Sequence, residues 1–199
     1  MKIWIYWQRI AAHTQAEMRK EGESAGRRLL RSILYTQYGI SDVRPQIEIG
    51  RWGKPLLIQH PEIVFNISDS GDMVAVAISK ETGGIKDVSI GLDIEQKRSI
   101  PMKLMQRFYH PAELAWVLET EDPAEQQQRA LELWTQKEAY GKWQGSGLHY
   151  QMQQWNVREP HIQSTMLTRW KDACVWSVYT NQEFTISWKE YREKPDGFI

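Results

Sequence analysis

The chain has 199 residues, of which 41% are hydrophobic and 25% are charged. This composition predicts a packed core, in one compact domain or in two small ones, and excludes a disordered chain. Lysine plus arginine and aspartate plus glutamate both total 25, so the formal net charge is zero. No global basic field therefore favours nucleic acid or an anionic membrane as a partner.

The cysteine content and the apolar segments bear on where the protein works. Cys174 is the only cysteine, so it cannot form an internal disulfide, and it shows no zinc-binding spacing with the histidines. The apolar start, Ile3 to Trp7, is too short for the core of a signal peptide. No stretch is long enough to span a membrane. We therefore expect a protein of the reducing cytoplasm.

Apolar periodicity and turn residues predict mostly strands after an early helix in the first half of the chain. Asp69-Ser70-Gly71-Asp72 lies between two short apolar runs and indicates a hairpin. The predicted elements are a strand at 3–7, a helix at 14–35, a loop with one short strand at 38–55, hairpin strands at 62–67 and 73–78, and a strand at 88–95.

The second half of the chain repeats this order loosely. Pro111 is placed to begin a helix, and Asp122, Pro123 and Glu125 predict a capped helix that runs to about Gly145. Strands are predicted at 173–179 and 183–189. Because helix-then-strands occurs twice, we expect an α+β protein with two similar halves, residues 1–87 and 88–199.

Two acids share one face of the strand that ends at Glu95. Strand alternation places Gly91, Asp93 and Glu95 on one side and apolar residues on the other. Two carboxylates about seven ångströms apart repel unless a cation lies between them. Gly91 removes bulk beside them, as a close ligand would require. The alternative is an ordinary amphipathic strand with solvated acids.

A third acid and a lysine occur in the long predicted helix. Trp134, Glu138 and Lys142 follow one another at helical spacing and share one face. Hard carboxylate oxygens suit Mg²⁺, which binds through one or two carboxylates and the phosphates of a substrate, and an ammonium group suits the same ligand. The set indicates chemistry on a diphosphate. The alternative is an exposed Glu138–Lys142 pair of little consequence.

Two upstream segments add to this pattern. Gly50-Arg51-Trp52-Gly53-Lys54-Pro55 combines two cations with an aromatic ring, which suits stacking and phosphate contact. Asn66-Ile67-Ser68-Asp69-Ser70 ends a strand in small hydrogen-bonding residues. Each segment alone is compatible with a simple turn or hairpin. The order of all four segments favours one composite site.

Together these segments resemble the 4′-phosphopantetheinyl transferase superfamily, specifically the monomeric surfactin-synthetase-activating type. That family shows a Gly-Lys-Pro loop, an Asn-(Ile/Leu)-Ser-His-Ser stretch, Gly-x-Asp-x-Glu and Trp-(Ser/Thr)-x-Lys-Glu-(Ala/Ser)-x-x-Lys. The matching segments here are Gly53-Lys54-Pro55, Asn66 to Ser70, Gly91 to Glu95 and Trp134 to Lys142.

The resemblance implies two similar α/β halves related by a pseudo-twofold axis, with coenzyme A in the cleft between them. It also implies a reaction in which the phosphopantetheine arm moves from coenzyme A to a serine of an apo carrier protein, releasing adenosine 3′,5′-bisphosphate. Mg²⁺, or alternatively Mn²⁺, would be required. The alternative function is that of a non-catalytic relative which binds coenzyme A or a carrier protein.

The resemblance also assigns roles to residues. It implies Asp93, Glu95 and Glu138 as metal ligands and Lys142 on the diphosphate. Lys137 is a further candidate for the diphosphate, and the alternative is that it only supports the helix. Glu138, directly or through a metal-bound water, is the first hypothesis for the base that deprotonates serine, and Glu113 is the second. Contacts to coenzyme A are implied for Lys20, Arg51, Trp52, Gly53, Lys54, Pro55, Ser68 and Asp69. Asp69 stands where the family usually has histidine, and an acid there would repel phosphate.

The segment after the acid strand predicts a surface for the partner. Lys97, Arg98, Lys103 and Arg107 occur without an intervening acid, and carrier proteins of this class are acidic around the modified serine. We therefore expect this stretch to dock the carrier. A solvated basic helix face is the alternative.

Overall fold

The computed structural model describes residues 1–11, 14, 16–17, 24–41, 47–50, 54–80, 88–145 and 150–192. These residues form a mixed α+β fold built on a four-stranded and a three-stranded sheet, with a small two-stranded ribbon beside them. None of the helices in this part of the chain combines the length and the hydropathy needed to cross a bilayer.

The first sheet has the strand order β4-β5-β1-β9, and helix α1 packs against one of its faces. Ser24 caps α1 by accepting from the backbone N–H of Arg27, and Gly39 ends the helix in a left-handed conformation. The strands outside the second sheet are β1 (Lys2–Arg9), β2 (Ile47–Ile49), β3 (Pro55–Leu57), β4 (Ile63–Ser70), β5 (Met73–Lys80) and β9 (Thr185–Glu190), and α1 is Ala25–Tyr38.

The second sheet has the antiparallel order β6-β8-β7, and the long helix α4 covers it. Asp122 caps α4 by accepting from the N–H of Ala124, and Gly145 ends it. The elements are β6 (Gly91–Gln96), α2 (Met102–Phe108), α3 (Pro111–Leu118), α4 (Pro123–Gln144), a 3₁₀ turn (Tyr150–Gln154), α5 (Pro160–Gln163), β7 (Met166–Lys171) and β8 (Cys174–Tyr179).

The two sheets pack through apolar side chains on their facing sides. Ile3, Ile5 and Met73 of the first sheet share one buried cluster with Leu92 and Trp176 of the second. The last strand also links the two parts of the chain, because β9 pairs in parallel with β1. Residues 185–190, counted in the second half by sequence order, thus lie in the sheet of the first half. This long-range pairing carries no signal in the local sequence.

Several predicted elements are confirmed and others need correction. The hairpin at Asp69–Asp72, the strand with the two acids and the helix that ends at Gly145 all form. The predicted helix at 14–35 is not continuous, because Ser24 is the extended N-cap of α1, which runs on to Tyr38. β7 has no counterpart among the predicted strands. Glu125 does not complete a capping box, since its carboxylate accepts from Thr120 and pairs with Arg129.

The close approach at Gly91 is made by a helix and not by a ligand. A Cβ added to Gly91 would lie 1.8 Å from the carbonyl oxygen of Ala139 and 2.8 Å from the backbone nitrogen of Trp143. Gly91 therefore lets the backbone of α4 rest directly on β6. This contact places the acids of β6 next to the side chains of α4.

We predict that Gly91→Ala destabilises the protein by at least about 1–3 kcal/mol, because helix and strand backbones must separate. Urea unfolding would measure the loss. Gly39→Ala is the matched control, since Gly39 has a φ of +70° and nothing within 4 Å of its Cβ position, so it tests backbone strain alone. A loss for Gly91→Ala no greater than that of the control would contradict the tight contact.

Candidate active site

Side chains of β4 bridge the two sheets by hydrogen bonds to the backbone of β6. Asn66 Oδ1 accepts from Leu92 N–H at 3.0 Å, and Ser68 Oγ accepts from Ile94 N–H at 3.2 Å. Ser70 Oγ continues the series with the N–H of Gln96 at 3.1 Å. β6 is an edge strand, so these N–H groups have no strand partner on that side. The alternating polar residues of the Asn66–Ser70 segment therefore complete the edge of β6.

Asp93 lies at the centre of the site. Its side chain is buried, with 5% of the residue exposed. Oδ1 accepts from Lys142 Nζ at 2.7 Å and from Ser68 Oγ at 3.0 Å, and Lys142 also donates to Ser68 at 2.9 Å. Oδ2 is buried and has no hydrogen-bond partner. Burial raises the pKa of Asp93, and the Lys142 ammonium opposes that rise.

Glu95 is held by four donors, which is about as many as a carboxylate can accept. Oε1 accepts from Arg98 Nη2 at 2.8 Å and from Trp134 Nε1 at 3.0 Å. Oε2 accepts from Arg98 Nε at 3.1 Å and from Ser70 Oγ at 3.2 Å. The fork of Arg98 thus neutralises Glu95 and fixes its orientation.

Glu138 faces the same cluster from α4. Burial first, and the negative charge of Asp93 second, raise its pKa to about 8. The charges of Lys142, Glu95 and Arg98 also act on it, so this acid is close to both of the others. Lys142 pairs with Asp93 and not with Glu138, so the exposed helix pair is not formed.

These acids fit a divalent cation by their chemistry, although they are not gathered around one point. Within the described ranges, no group of three or more His, Cys, Asp or Glu side chains has a metal-binding arrangement. Lys142 and Arg98 instead provide the cations for Asp93 and Glu95. The unpartnered Oδ2 of Asp93 and the raised pKa of Glu138 mark the two oxygen donors that a cation would stabilise most.

Lys54 holds the end of α4. Its ammonium donates to the carbonyls of Lys142 at 2.9 Å and Trp143 at 3.3 Å, in the last turn of the helix. It also donates to Ile90 O at 3.2 Å and to Ser89 Oγ. Burial lowers the pKa of Lys54 to about 8. Its donors are directed at three backbone carbonyls and Ser89, and the contact of Lys54 with a nucleotide stays a prediction.

Glu113 and Lys137 form a buried ion pair and do not join the acid cluster. Their side chains are 0% exposed, and Nζ lies 2.7 Å from Oε2. Lys137 also donates to Trp155 O at 2.6 Å, while Glu113 accepts from the backbone N–H groups of His110 and Val157. Both side chains are therefore committed to this buried pair, away from the acid cluster. The roles of Glu113 as a base and of Lys137 on a diphosphate stay predictions.

The remaining predicted contacts to coenzyme A divide into described and undescribed residues. Lys20, Arg51, Trp52 and Gly53 lie outside the described residues. Pro55 begins β3 beside Lys54. Asp69 is exposed on β4, on the face opposite to Ser68, because side chains alternate along a strand. It therefore points away from Asp93.

The basic stretch after β6 is only partly available for docking. Lys97, Lys103 and Arg107 are exposed, whereas Arg98 is committed to Glu95. Met105, one of the interleaved apolar residues, is 3% exposed and packs in the core of the second half. The surface defined by Lys103, Arg107 and the exposed Met102 on α2 remains a candidate.

Sequence reasoning missed the contact that Arg98 makes with the site. Arg98 was assigned to the partner surface, although it lies three residues after Glu95, a spacing that allows a local pair. The roles of Asn66 and Ser70 in bridging the sheets were also missed. The alternation of Asn66, Ser68 and Ser70 along β4 was the available signal.

Comparison with known proteins gives one consistent family. A model described as the 4′-phosphopantetheinyl transferase superfamily matches residues 89–193. The chain is 32% identical over 134 residues to the 4′-phosphopantetheinyl transferase psf-1 of Bacillus pumilus, which covers 67% of this chain and 54% of that protein. It is 31% identical over 130 residues to the 4′-phosphopantetheinyl transferase Sfp of Bacillus subtilis, covering 65% and 54%.

A cyanobacterial protein gives a similar match. The chain is 33% identical over 131 residues to the 4′-phosphopantetheinyl transferase HetI of Nostoc sp., covering 63% of this chain and 52% of that protein. The chain spans about half the length of the curated relatives it matches. The family model covers more than half of the chain and includes Asp93, Glu95, Glu138 and Lys142. This protein therefore belongs to the 4′-phosphopantetheinyl transferase superfamily.

Proposed function

We propose that this protein transfers the 4′-phosphopantetheine arm of coenzyme A to a serine hydroxyl of an apo carrier protein, with Mg²⁺ as the cofactor. The observation that carries the proposal is the convergence of Asp93, Glu138 and Lys142 where the first sheet meets β6 and α4. Membership of the family and the names of the relatives support it. Two pseudo-symmetric halves with coenzyme A between them, and a monomer in the cytoplasm, are parts of the same proposal.

The metal ligands we propose are Asp93, through its unpartnered Oδ2, and Glu138. Glu95 would join them on release from Arg98. When bound, Mg²⁺ would neutralise the diphosphate and make the reacting phosphorus more electrophilic. Because both acids have raised pKa values, a bound cation would also favour their ionised forms.

The lysine and the acids have separate tasks in the transfer. The serine oxygen forms a bond to the phosphorus next to the pantetheine arm, and the bond from that phosphorus to the bridging oxygen breaks. Lys142, near the surface of the site, would turn from Asp93 to the leaving oxygen and stabilise its charge. Glu138, whose ionised form the bound cation would favour, would accept the serine proton as a carboxylate.

The carrier is the partner that this reaction requires, and we propose that it docks on α2. Lys103 and Arg107 are exposed there, and Arg107 lies 5.0 Å from the centroid of the Phe108 ring. Exposed cations beside the half-exposed Met102 suit an acidic helix with an apolar stripe.

The first test of the proposed function replaces the central acid. We expect Asp93→Ala and Asp93→Asn to lower transfer by at least about a hundredfold, because the metal and Lys142 both lose a charged partner. The protein would be incubated with Mg²⁺, coenzyme A and a panel of apo carriers, and the added arm read by intact mass. Glu121→Ala, at an exposed position, is the control.

The same pair of variants distinguishes an enzyme from a binding protein. Asp93→Asn keeps the volume of the buried side chain and its hydrogen bonds to Ser68. For an enzyme, we expect the wild-type protein to transfer the arm and Asp93→Asn to bind the carrier without transferring it. Transfer at the same rate in both variants and in the wild type would exclude the acid cluster as the catalytic site.

A second prediction concerns the stability of the metal-free protein. The pKa of Glu138 is about 8 in the folded state against 4.5 as the ordinary value, so between these values the folded chain holds a proton that the unfolded chain has lost. Stability should therefore fall as the pH rises through this range. Urea unfolding at several pH values would show the slope, and Glu138→Gln should reduce it. If the slope of stability against pH is the same in Glu138→Gln as in the wild type and in the control Glu121→Gln, the raised pKa of Glu138 is contradicted.

A third prediction concerns docking. We expect Lys103→Glu combined with Arg107→Glu to raise the Michaelis constant for the carrier by about tenfold or more, because repulsion replaces attraction. The constant for coenzyme A should not change, since neither residue contacts the acid cluster. Arg158→Glu, which reverses a charge at another exposed position, is the control. If both constants stay at their wild-type values, the carrier docks elsewhere.

A further inference from the structure

A basic depression lies on the face of the first sheet that carries α1, away from the acid cluster. It has a volume of about 380 Å³ and lies where α1 ends. Three lysines, three aromatic residues and one glutamine line it, and we call it the lysine groove: Lys2, Trp4, Tyr6, Gln37, Tyr38, Lys80 and Lys189. Lys189 Nζ donates to Gln37 Oε1 at 3.5 Å.

Strand register explains how the lysines come together. Lys2, Trp4 and Tyr6 alternate along β1 and so share one face. Trp4 pairs with Ile78 of β5, which places Lys80, two residues on, beside Lys2. On the other side, β9 places Lys189 opposite Tyr6. All three ammonium groups therefore belong to one face of the sheet.

The groove is an excess of positive charge in a chain whose net charge is zero. Among the described residues that line it there is no acid. Like charges on neighbouring strands destabilise a sheet unless a counter-charge is present. A polyanion would supply that counter-charge.

Aromatic rings form the floor of the groove. The rings of Trp4 and Tyr6 have centroids 6.3 Å apart and planes 30° apart. Lys2 Nζ lies 4.3 Å from the centroid of Trp4, and Lys189 Nζ lies 5.6 Å from that of Tyr6. Burial raises the pKa of Tyr38 to about 12, so this phenol stays neutral and can donate a hydrogen bond. Ammonium groups above aromatic faces suit a ligand that has both a flat ring and several negative charges.

We propose that the lysine groove is a binding site for a nucleoside polyphosphate. Lys2 would turn from the Trp4 ring to the phosphates, which Lys80 and Lys189 would also bind, and the base would stack on the face of Trp4 that Lys2 leaves. The site is separate from the acid cluster, because Tyr6 packs in the cluster of α1 and Phe65 while Asn66 and Ser68 face β6. The proposal thus goes beyond the transferase function and does not rest on it.

The test uses the full chain, labelled with ¹⁵N in its indole groups and titrated with ATP without divalent metal. The resonance of Trp4, assigned with Trp4→Phe, reports on the groove itself. We expect it to shift saturably. Lys80→Gln combined with Lys189→Gln should weaken binding by about tenfold or more, since hydrogen bonds to charged groups are lost. Arg158→Gln, which removes a charge elsewhere, should bind ATP as the wild type does.

Two partial ligands separate charge from stacking. Adenosine should bind at least about tenfold more weakly than ATP, because the contacts of the lysines with phosphate are lost. Tripolyphosphate should bind at least about fivefold more weakly than ATP, because base stacking is lost. The proposal is overturned by a Trp4 resonance that ATP leaves unmoved, by equal affinity in the double lysine variant, or by tripolyphosphate that binds as tightly as ATP. A protein inactive as a transferase would still be expected to bind ATP in the groove.

Discussion

The structure depends on the way in which β4 completes the exposed edge of β6. An edge strand with buried N–H groups must find acceptors, and here three side chains at alternate positions provide them: Asn66, Ser68 and Ser70. The same contacts set the distance between the two sheets. Since Ser68 also donates to Asp93, the element that joins the sheets is the one that orients the central acid. Fold and site therefore share one set of bonds.

Buried lysines fix the elements that surround this junction. Lys54 binds the last carbonyls of α4, and Lys137 pairs with Glu113 behind the helix. Loss of one member of a buried pair leaves an uncompensated charge, which typically costs about 3–5 kcal/mol. Lys54 and Lys137, which the sequence assigned to phosphate or nucleotide contacts, therefore hold α4 in place. Lys142, by contrast, contacts Asp93 and is 26% exposed, so it has access to solvent.

Local signals in the sequence were enough for the strands, the caps and the acid-bearing faces. Alternation predicted that Asp93 and Glu95 share one side of β6, and Asp122 and Gly145 predicted the ends of α4. The pairing of β9 with β1 could not be predicted, because it joins the two ends of the described chain. The sequence could not show that Lys137 is buried and Lys142 accessible, since both lie on one helix and burial depends on what packs against each.

The charge pattern suggests how such a site can be stable before a ligand arrives. Asp93 and Glu95 already have cationic partners, Lys142 and Arg98, so the fold does not depend on a metal to balance them. A bound cation would then replace Lys142 and Arg98 as the partners of the two acids. It would not leave additional charges unpaired, which limits the change in the free energy of the fold. The exchange frees Lys142, the accessible lysine, for a negatively charged substrate. The metal and the phosphate would then favour each other's binding, because the metal takes up the charge of Asp93 and the phosphate takes up the charge of Lys142.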